Sequence, residues 1–127
     1  MKVLVVDDDP DMRRLLSLAL GHVGGMEVVT ISGGESIVEA VAADNFDAVV
    51  LDVMMPVLDG PQCLALLRAN ESTRNIPVVF LTAKGDTEDL DNLSEKSGFE
   101  TLRKPFDPLT LAETLRRMLG KECSESS

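Results

Sequence analysis

Five short apolar runs recur along the chain, and in most of them the apolar residues are consecutive rather than alternating. The runs cover residues 3–6, 28–31, 48–51, 76–81 and 99–102, of which the last is the weakest. A strand that is apolar on both faces is buried on both faces, which is typical of a parallel sheet covered by helices. The runs therefore predict five buried strands.

Segments with helical spacing separate these runs. The first segment carries an apolar stripe made up of Met12, Leu15, Leu16, Ala19 and Val23, as one face of an amphipathic helix does. Asp9-Pro10 and Asp107-Pro108 each place an acidic N-cap before a proline at the first helical position, and Gly60-Pro61 offers a similar start. Strand and helix therefore alternate five times.

This alternation predicts one α/β domain, built as a doubly wound five-stranded parallel sheet with helices on both faces. We expect the domain to span residues 1–120, and the polar residues 121–127 to form a disordered tail. The helix predicted over residues 86–96 has only Leu90 and Leu93 as large apolar residues. We expect its hold on the sheet to be the weakest, which makes it the expected moving part.

Composition argues against several classes of function. The 127 residues include 22 acidic and 12 basic side chains, for a net charge of −10, and such a charge repels nucleic acid backbones. No apolar stretch approaches the roughly 20 residues of a membrane span. We therefore expect a cytoplasmic protein that binds neither nucleic acid nor membrane directly. Cys63 and Cys123 lie far apart and without neighbouring metal-binding histidines, which argues against disulfides and structural zinc.

Polar side chains follow four of the runs, at the points where the strands end: Asp7, Asp8, Asp9, Asp52, Thr82 and Lys104. Ligands of a doubly wound sheet bind at the carboxyl ends of its strands, and carboxylate oxygens suit a magnesium ion. A lone aspartate at a strand end is usually a helix cap, and this is our interpretation of Asp9. Three further acids with a hydroxyl and a lysine predict a functional site.

The residues around these strand ends resemble the receiver domains of two-component response regulators. The matching stretches are VVDDDP at 5–10, LDVMMPVLDG at 51–60, FLTA at 80–83 and KPF at 104–106. Their separations agree as well: 44 positions from Asp8 to Asp52, 30 from Asp52 to Thr82 and 52 from Asp52 to Lys104. The resemblance covers residues 2–119 and implies a flavodoxin-like (βα)5 fold.

The resemblance implies a phosphorylation site that contains a magnesium ion. Asp52 would accept a phosphoryl group from a phosphohistidine, and Thr82 and Lys104 would contact that group. The metal ligands would be the carboxylates of Asp7, Asp8 and Asp52 and the backbone carbonyl of Met54. The chain would not be an enzyme in the usual sense, since it would catalyse only its own phosphorylation and dephosphorylation.

The output side of the site departs from the family pattern. In the family, movement of the threonine is coupled to an aromatic residue three positions before the lysine, and Thr101 holds that position here. Phe99 has the same strand parity, so it is either a substitute for the aromatic residue or an ordinary core residue. We expect phosphorylation to shift the surface formed by helix 86–96, the fifth strand and the last helix.

The resemblance also implies the kinds of partner. The phosphodonor would be a sensor histidine kinase or a histidine phosphotransfer protein, and the output would pass to a downstream effector protein or a fused output domain. The family also allows a dimer that depends on phosphorylation. Two other functions stay open. One is a degenerate receiver that binds a partner without being phosphorylated, and the other is a small magnesium-dependent phosphohydrolase with Asp7 as nucleophile and Asp9 as second acid.

Overall fold

A computed structural model describes residues 1–53, 55, 57–82, 99–104 and 106–120. Its five strands form one parallel sheet in the order β2-β1-β3-β4-β5. The strands are β1 (Lys2–Val6), β2 (Glu27–Ile31), β3 (Ala48–Asp52), β4 (Val78–Thr82) and β5 (Phe99–Arg103). The five predicted strands and their parallel arrangement are confirmed, but only the central strands β1, β3 and β4 are buried, because β2 and β5 form the two edges of the sheet and are exposed or half-buried.

Helices cover both faces of the sheet, and each face has its own core. The helices are α1 (Pro10–Leu16), which continues into a π-helical segment (Ser17–Val23), then α2 (Ile37–Ala42), α3 (Gly60–Ala69) and α4 (Leu111–Met118). Buried residues of α2 and α3 pack on one face around Phe80. Buried residues of α1, the π-helical segment and α4 pack on the other face around Val50 and Leu81. Within the described residues, no helix has the length and apolarity to cross a bilayer.

The apolar stripe predicted for the first helix is partly wrong. Leu16 and Ala19 are fully buried as expected, but Leu15 is 36% exposed, Val23 is 49% exposed, and Leu20 is buried instead. A π-helix bonds residue i to residue i+5 and so turns less per residue than an α-helix. The π-helical winding after Leu16 therefore rotates Val23 off the buried face.

The last helix begins later than predicted. Its first residue is Leu111, and Thr110 stands at the N-cap, whereas the sequence predicts a start at Asp107-Pro108. The Asp107 carboxylate accepts a hydrogen bond from the backbone N–H of Leu109 at 2.9 Å, which is the Asx-turn arrangement. The aspartate thus forms a turn that precedes the helix. The helix predicted over residues 86–96 lies outside the described residues.

Helix α3 begins at Gly60 through a capping box. Asp59 at the N-cap accepts from the backbone N–H of Gln62, and the Gln62 side chain accepts from the Asp59 N–H, both at 2.9 Å. The start at Gly60-Pro61 is confirmed. A Cβ on Gly60 would lie 2.7 Å from the carbonyl oxygen of Asp52 and 2.9 Å from the Cα of Val53. The absence of a side chain at this position therefore lets α3 approach the end of β3.

We expect Gly60→Ala to destabilise the protein by about 1–3 kcal/mol, since the added methyl group meets backbone that cannot move aside. Gly21→Ala is the matched control, because its Cβ would find ordinary contacts at 3.4 Å from Val28 and 3.5 Å from Met26. In a helical segment that change stabilises by roughly 0.5–1 kcal/mol. Urea denaturation of the two variants measures the difference, and equal midpoints would contradict the packing argument.

Candidate functional site

The carboxyl edge of the sheet brings together the polar residues that follow the strands. Asp52 and Thr82 are the last residues of β3 and β4. Asp7 directly follows β1, and Lys104 directly follows β5. These four strands are neighbours in the sheet, and the strand order reverses at β1 and β3, where ligands of doubly wound sheets bind. Four predicted site residues therefore share one edge.

Three carboxylates at this edge form a cluster, which we call the acidic cluster. Asp7, Asp8 and Asp52 each place one carboxylate oxygen so that all three atoms lie within 4.8 Å of one another. Asp7 is 2% exposed and Asp52 is 8% exposed, while Asp8 is open to solvent. The cluster thus has two buried carboxylates and one carboxylate that is accessible from solvent, as a site that an ion enters from solvent requires.

Lys104 connects the acidic cluster to the end of β5. Its Nζ lies 3.1 Å from Oδ1 of Asp52, and both side chains are largely shielded from water. The backbone N–H of Lys104 donates to the carbonyl of Thr82 at 2.7 Å. The Thr82 hydroxyl is buried and donates to the Leu102 carbonyl at 3.5 Å, a length at which a hydrogen bond is weak. The hydroxyl is therefore loosely held.

Asp7 carries a buried carboxylate oxygen whose hydrogen-bonding capacity is unsatisfied among the described residues. Its Oδ1 accepts from the backbone N–H of Asp9 at 2.9 Å, but its buried Oδ2 has no hydrogen-bond partner among the described residues. Burial, opposed by that hydrogen bond and reinforced by the charge of Asp52, raises the Asp7 pKa from 3.8 to about 6. A buried carboxylate oxygen without a partner is costly unless a cation or a proton occupies it.

The donor set of the acidic cluster fits a magnesium ion. Its atoms are hard carboxylate oxygens, which Mg²⁺ prefers, and the exposed side leaves room for the waters that Mg²⁺ retains. The partnerless oxygen of Asp7 supports a cation site independently of the donor type, since a bound cation would satisfy this oxygen. Met54, whose carbonyl was predicted as a further ligand, lies outside the described residues.

Asp9 does not belong to the acidic cluster. Its carboxylate accepts from the backbone N–H of Asp11 at 2.9 Å and caps α1, which confirms the predicted cap. The phosphohydrolase hypothesis needed Asp9 as a second acid beside Asp7, and the structure gives Asp9 a different task. Among the described residues, the acids that can share a metal are Asp7, Asp8 and Asp52.

Two features near the site were not predicted from the sequence. Arg13 of α1 donates from its guanidinium to the carbonyl of Asp7 at 2.8 Å and so fixes the turn that holds the cluster. Val57, in the loop between Asp52 and α3, has a φ of 68° and is 78% exposed. A β-branched residue rarely adopts this left-handed conformation. Nothing in the sequence indicates the hydrogen bond of Arg13. The turn residues Asp59-Gly60 are only a weak indication of the left-handed backbone at Val57.

The two residues considered for the switch lie on one face of β5. Phe99 packs edge-to-face against Phe80 with ring centroids 5.3 Å apart, and it borders the core on that face. Thr101 is exposed and pairs in register with Phe80. Phe99 therefore has the contacts of a core residue, and the role of Thr101 stays a prediction.

Comparison with known proteins agrees with this architecture. The family model for the response regulator receiver domain matches residues 3–116. A probable transcriptional regulator, ycf27 of Cyanophora paradoxa, is 39% identical over 94% of this chain and 48% of its own length. The sensor protein GacS of Pseudomonas syringae is 36% identical over 94% of this chain, but over only 13% of its own length. The chain spans about half the length of several other curated relatives that it matches.

Solved structures show the same likeness. The chemotaxis protein CheY4 of Vibrio cholerae superposes with a TM-score of 0.81 at 32% identity, covering 91% of this chain and 96% of that one. The receiver domain of a sensor histidine kinase from Pseudomonas aeruginosa has a TM-score of 0.80 at 30% identity, covering 94% and 97%. That domain was solved with a magnesium ion coordinated in its active-site cleft.

The fold and the edge that carries the site define a doubly wound α/β signalling module with a flavodoxin-like topology. The chain belongs to the response regulator receiver domain family of two-component signalling.

The raised Asp7 pKa predicts how stability depends on pH when a chelator removes divalent cations. The folded state binds the Asp7 proton more tightly than the unfolded state, so this contribution is fully present below about pH 3.8 and is lost as pH rises through about 6. At 1.36 kcal/mol per pKa unit the loss amounts to at most about 3 kcal/mol.

Asp7→Asn removes this titration and should be more stable than the native protein at pH 8, with little difference at pH 4. Asp9→Asn is the matched control, because asparagine caps a helix as well as aspartate does. Denaturant unfolding at several pH values measures the effect. Parallel pH profiles for the native protein and Asp7→Asn would contradict it.

Proposed function

We propose that this chain is a phosphoacceptor receiver domain whose Asp52 takes a phosphoryl group from a phosphohistidine. The observation that carries the proposal is the position of Asp52, with Lys104 Nζ 3.1 Å from one side of its carboxylate and the other acids of the cluster close by. Capping and turn formation do not require this arrangement. Phosphoryl transfer does, since it depends on positioning and on neutralised charge.

In the proposed reaction a carboxylate oxygen of Asp52 attacks the phosphorus atom of the donor. The new O–P bond forms as the P–N bond to the imidazole breaks, and the bonding electron pair stays on the imidazole nitrogen. The product is an acyl phosphate, in keeping with carboxylate nucleophiles elsewhere. At 8% exposure Asp52 is reachable only from the open side of the edge, so the donor approaches from there.

Each neighbouring residue has a separate task in this proposal. Lys104 is already paired with Asp52 and would stay close to the transferred group, where it offsets negative charge on the phosphoryl oxygens. Thr82 would redirect its loosely held hydroxyl from the Leu102 carbonyl to a phosphoryl oxygen. Asp7, Asp8 and Asp52, with the Met54 carbonyl, would hold Mg²⁺, which neutralises charge on the phosphoryl group when bound.

The wider role follows from the relatives and is equally a proposal. We assign residues 1–120 to the receiver domain, with a sensor histidine kinase or a histidine phosphotransfer protein as donor. Relatives that are about twice as long include a DNA-binding response regulator, which supports an effector or a fused output domain as the recipient of the signal. The chain would act on itself as a signalling module and would not turn over a separate substrate.

Incubation with a small phosphodonor such as acetyl phosphate, with and without Mg²⁺, tests the chemistry. We expect the native protein to gain the mass of one phosphoryl group only when Mg²⁺ is present, and Asp52→Asn to gain none. Asp59→Asn is the matched control, since Asp59 caps α3 and asparagine can replace it there. Intact mass spectrometry gives the result. A native protein that stays unmodified while folded would favour the degenerate receiver.

Magnesium itself should stabilise the fold through the acidic cluster. A ligand that binds only the native state at about 100 times its Kd adds roughly 2.7 kcal/mol, which in a domain of this size is a rise in Tm of about 10 °C. Asp8→Asn should lose most of this rise, because it removes the accessible ligand, whereas Asp9→Asn should keep it. Calorimetry in MgCl2 and in chelator measures the shift. An equal rise in Asp8→Asn would place the ion elsewhere.

A further inference from the structure

Asp8 lies in the turn between β1 and α1, and its carboxylate is the exposed member of the acidic cluster. Among the described residues, the hydrogen bonds and ion pairs do not include the Asp8 side chain. No contact of this kind fixes the direction of the side chain. The backbone on either side of Asp8 therefore decides where its carboxylate lies.

The backbone that follows Asp8 is fixed by Asp9. The Asp9 carboxylate caps α1 by accepting from the backbone N–H of Asp11, and the Asp9 carbonyl accepts from the backbone N–H of Arg13 at 3.0 Å. Asp9 is thus tied to the first turn of the helix, where a side-chain cap replaces a missing backbone partner. The position of Asp8 then depends on what holds Asp7, on the other side of the turn.

The Asp7 side of the turn is held by Arg13. Its guanidinium donates to the Asp7 carbonyl at 2.8 Å, across six positions of the chain. Helical side chains lean toward the N-terminus of their helix, so Arg13 can reach back over the first turn of α1 to the end of β1. Arg14 has a different environment. Its side chain is 74% exposed, and its guanidinium lies 3.5 Å from the carboxylate of Asp11.

The hydrogen bond from Arg13 fixes the peptide that joins Asp7 to Asp8. A trans peptide is planar, its C=O and N–H point in opposite directions, and the next Cα lies in the same plane. Because the Asp7 carbonyl is turned toward Arg13, the Asp8 N–H is turned away from Arg13 and the Asp8 Cα is placed with it. Rotation of this peptide would move the Asp8 carboxylate relative to the buried carboxylates of Asp7 and Asp52.

We propose that Arg13 is a positioning residue for the magnesium site. By holding the Asp7 carbonyl, it places the Asp8 carboxylate where that group can share a cation with Asp7 and Asp52. The inference rests on the magnesium site of the proposed function. Arg13 itself does not bind the ion, because a guanidinium has donors only and no acceptor. It raises the affinity for Mg²⁺ through geometry, against the repulsion that its own charge exerts on the cation.

This repulsion gives the test a sign. Removal of a positive charge near a cation site strengthens cation binding if charge alone matters, whereas loss of positioning weakens it. Arg13→Met removes the charge and the donors and keeps a long apolar side chain that can pack as the arginine stem does. Arg14→Met is the matched control, because it makes the same change in net charge one residue further along α1, at an exposed side chain.

We expect Arg13→Met to bind Mg²⁺ about 3-fold to 10-fold more weakly than the native protein. A partner that bonds a metal ligand directly is worth roughly 10-fold to 100-fold in affinity, and Arg13 bonds only the backbone of one. An open groove lined in part by Ile31, Ser36 and Val57 borders Arg13, so water can reach the Asp7 carbonyl in the variant. The loss is therefore partial.

Arg14→Met should bind Mg²⁺ as tightly as the native protein or slightly more tightly, and Arg13→Lys, which keeps a charged donor, should recover part of the loss. Isothermal titration of the complete chain with MgCl2, well below the unfolding midpoints, measures the four Kd values. Unfolding midpoints in chelator separate metal binding from stability. Should Arg13→Met not fold, Arg13→Lys is compared with Arg14→Lys instead, and weaker binding by the former is the expected result.

The inference is overturned if folded Arg13→Met binds Mg²⁺ as tightly as Arg14→Met does, or if the substitution lowers the unfolding midpoint and leaves the affinity unchanged. In the fallback pair, equal affinities have the same meaning. The proposed function survives each of these results. If the native protein binds Mg²⁺ no better than Asp8→Asn does, the magnesium site of the proposed function fails, and the role of Arg13 fails with it.

Discussion

Like charges repel, and the carboxyl edge of this sheet brings three carboxylates within 4.8 Å of one another. Burial makes the repulsion more costly, since Asp7 sits at 2% exposure with one oxygen left without a partner among the described residues. The fold can hold this arrangement because the backbone of a fully paired parallel sheet fixes where each strand ends. The site is therefore stabilised by nearby positive charge. The ammonium group of Lys104 and the proposed Mg²⁺ both supply it.

Much of the fold could be predicted, because the central strands β1, β3 and β4 are apolar on both faces, as strands of a buried parallel sheet are. The site followed from the same reasoning, since polar residues at the ends of adjacent parallel strands must meet at one edge. The failures have local causes. The π-helical winding that exposes Val23 leaves no mark in the apolar spacing of the sequence. An Asp-Pro pair can form either an Asx turn or the start of a helix. The sequence at Asp107-Pro108 therefore does not distinguish the two.

The energetics of Asp7 could not be predicted from its neighbours in the sequence. Asp8 and Asp9 have the same side chain, yet Asp8 is exposed and Asp9 caps a helix. Only Asp7 turns inward, where it accepts one hydrogen bond and Arg13 holds its carbonyl. Three identical residues in a row thus have three different tasks, and the direction of each side chain, which depends on the turn after β1, decides among them.

The hydrogen bond from the Lys104 N–H to the Thr82 carbonyl is the backbone bond with which the β4–β5 ladder ends. Thr82, which offers a hydroxyl group, and Lys104, which offers an ammonium group, are thus joined by a backbone hydrogen bond. Substitutions at these two positions should consequently combine non-additively, and in the proposed reaction a charge arriving at Asp52 would meet two residues that share a backbone hydrogen bond.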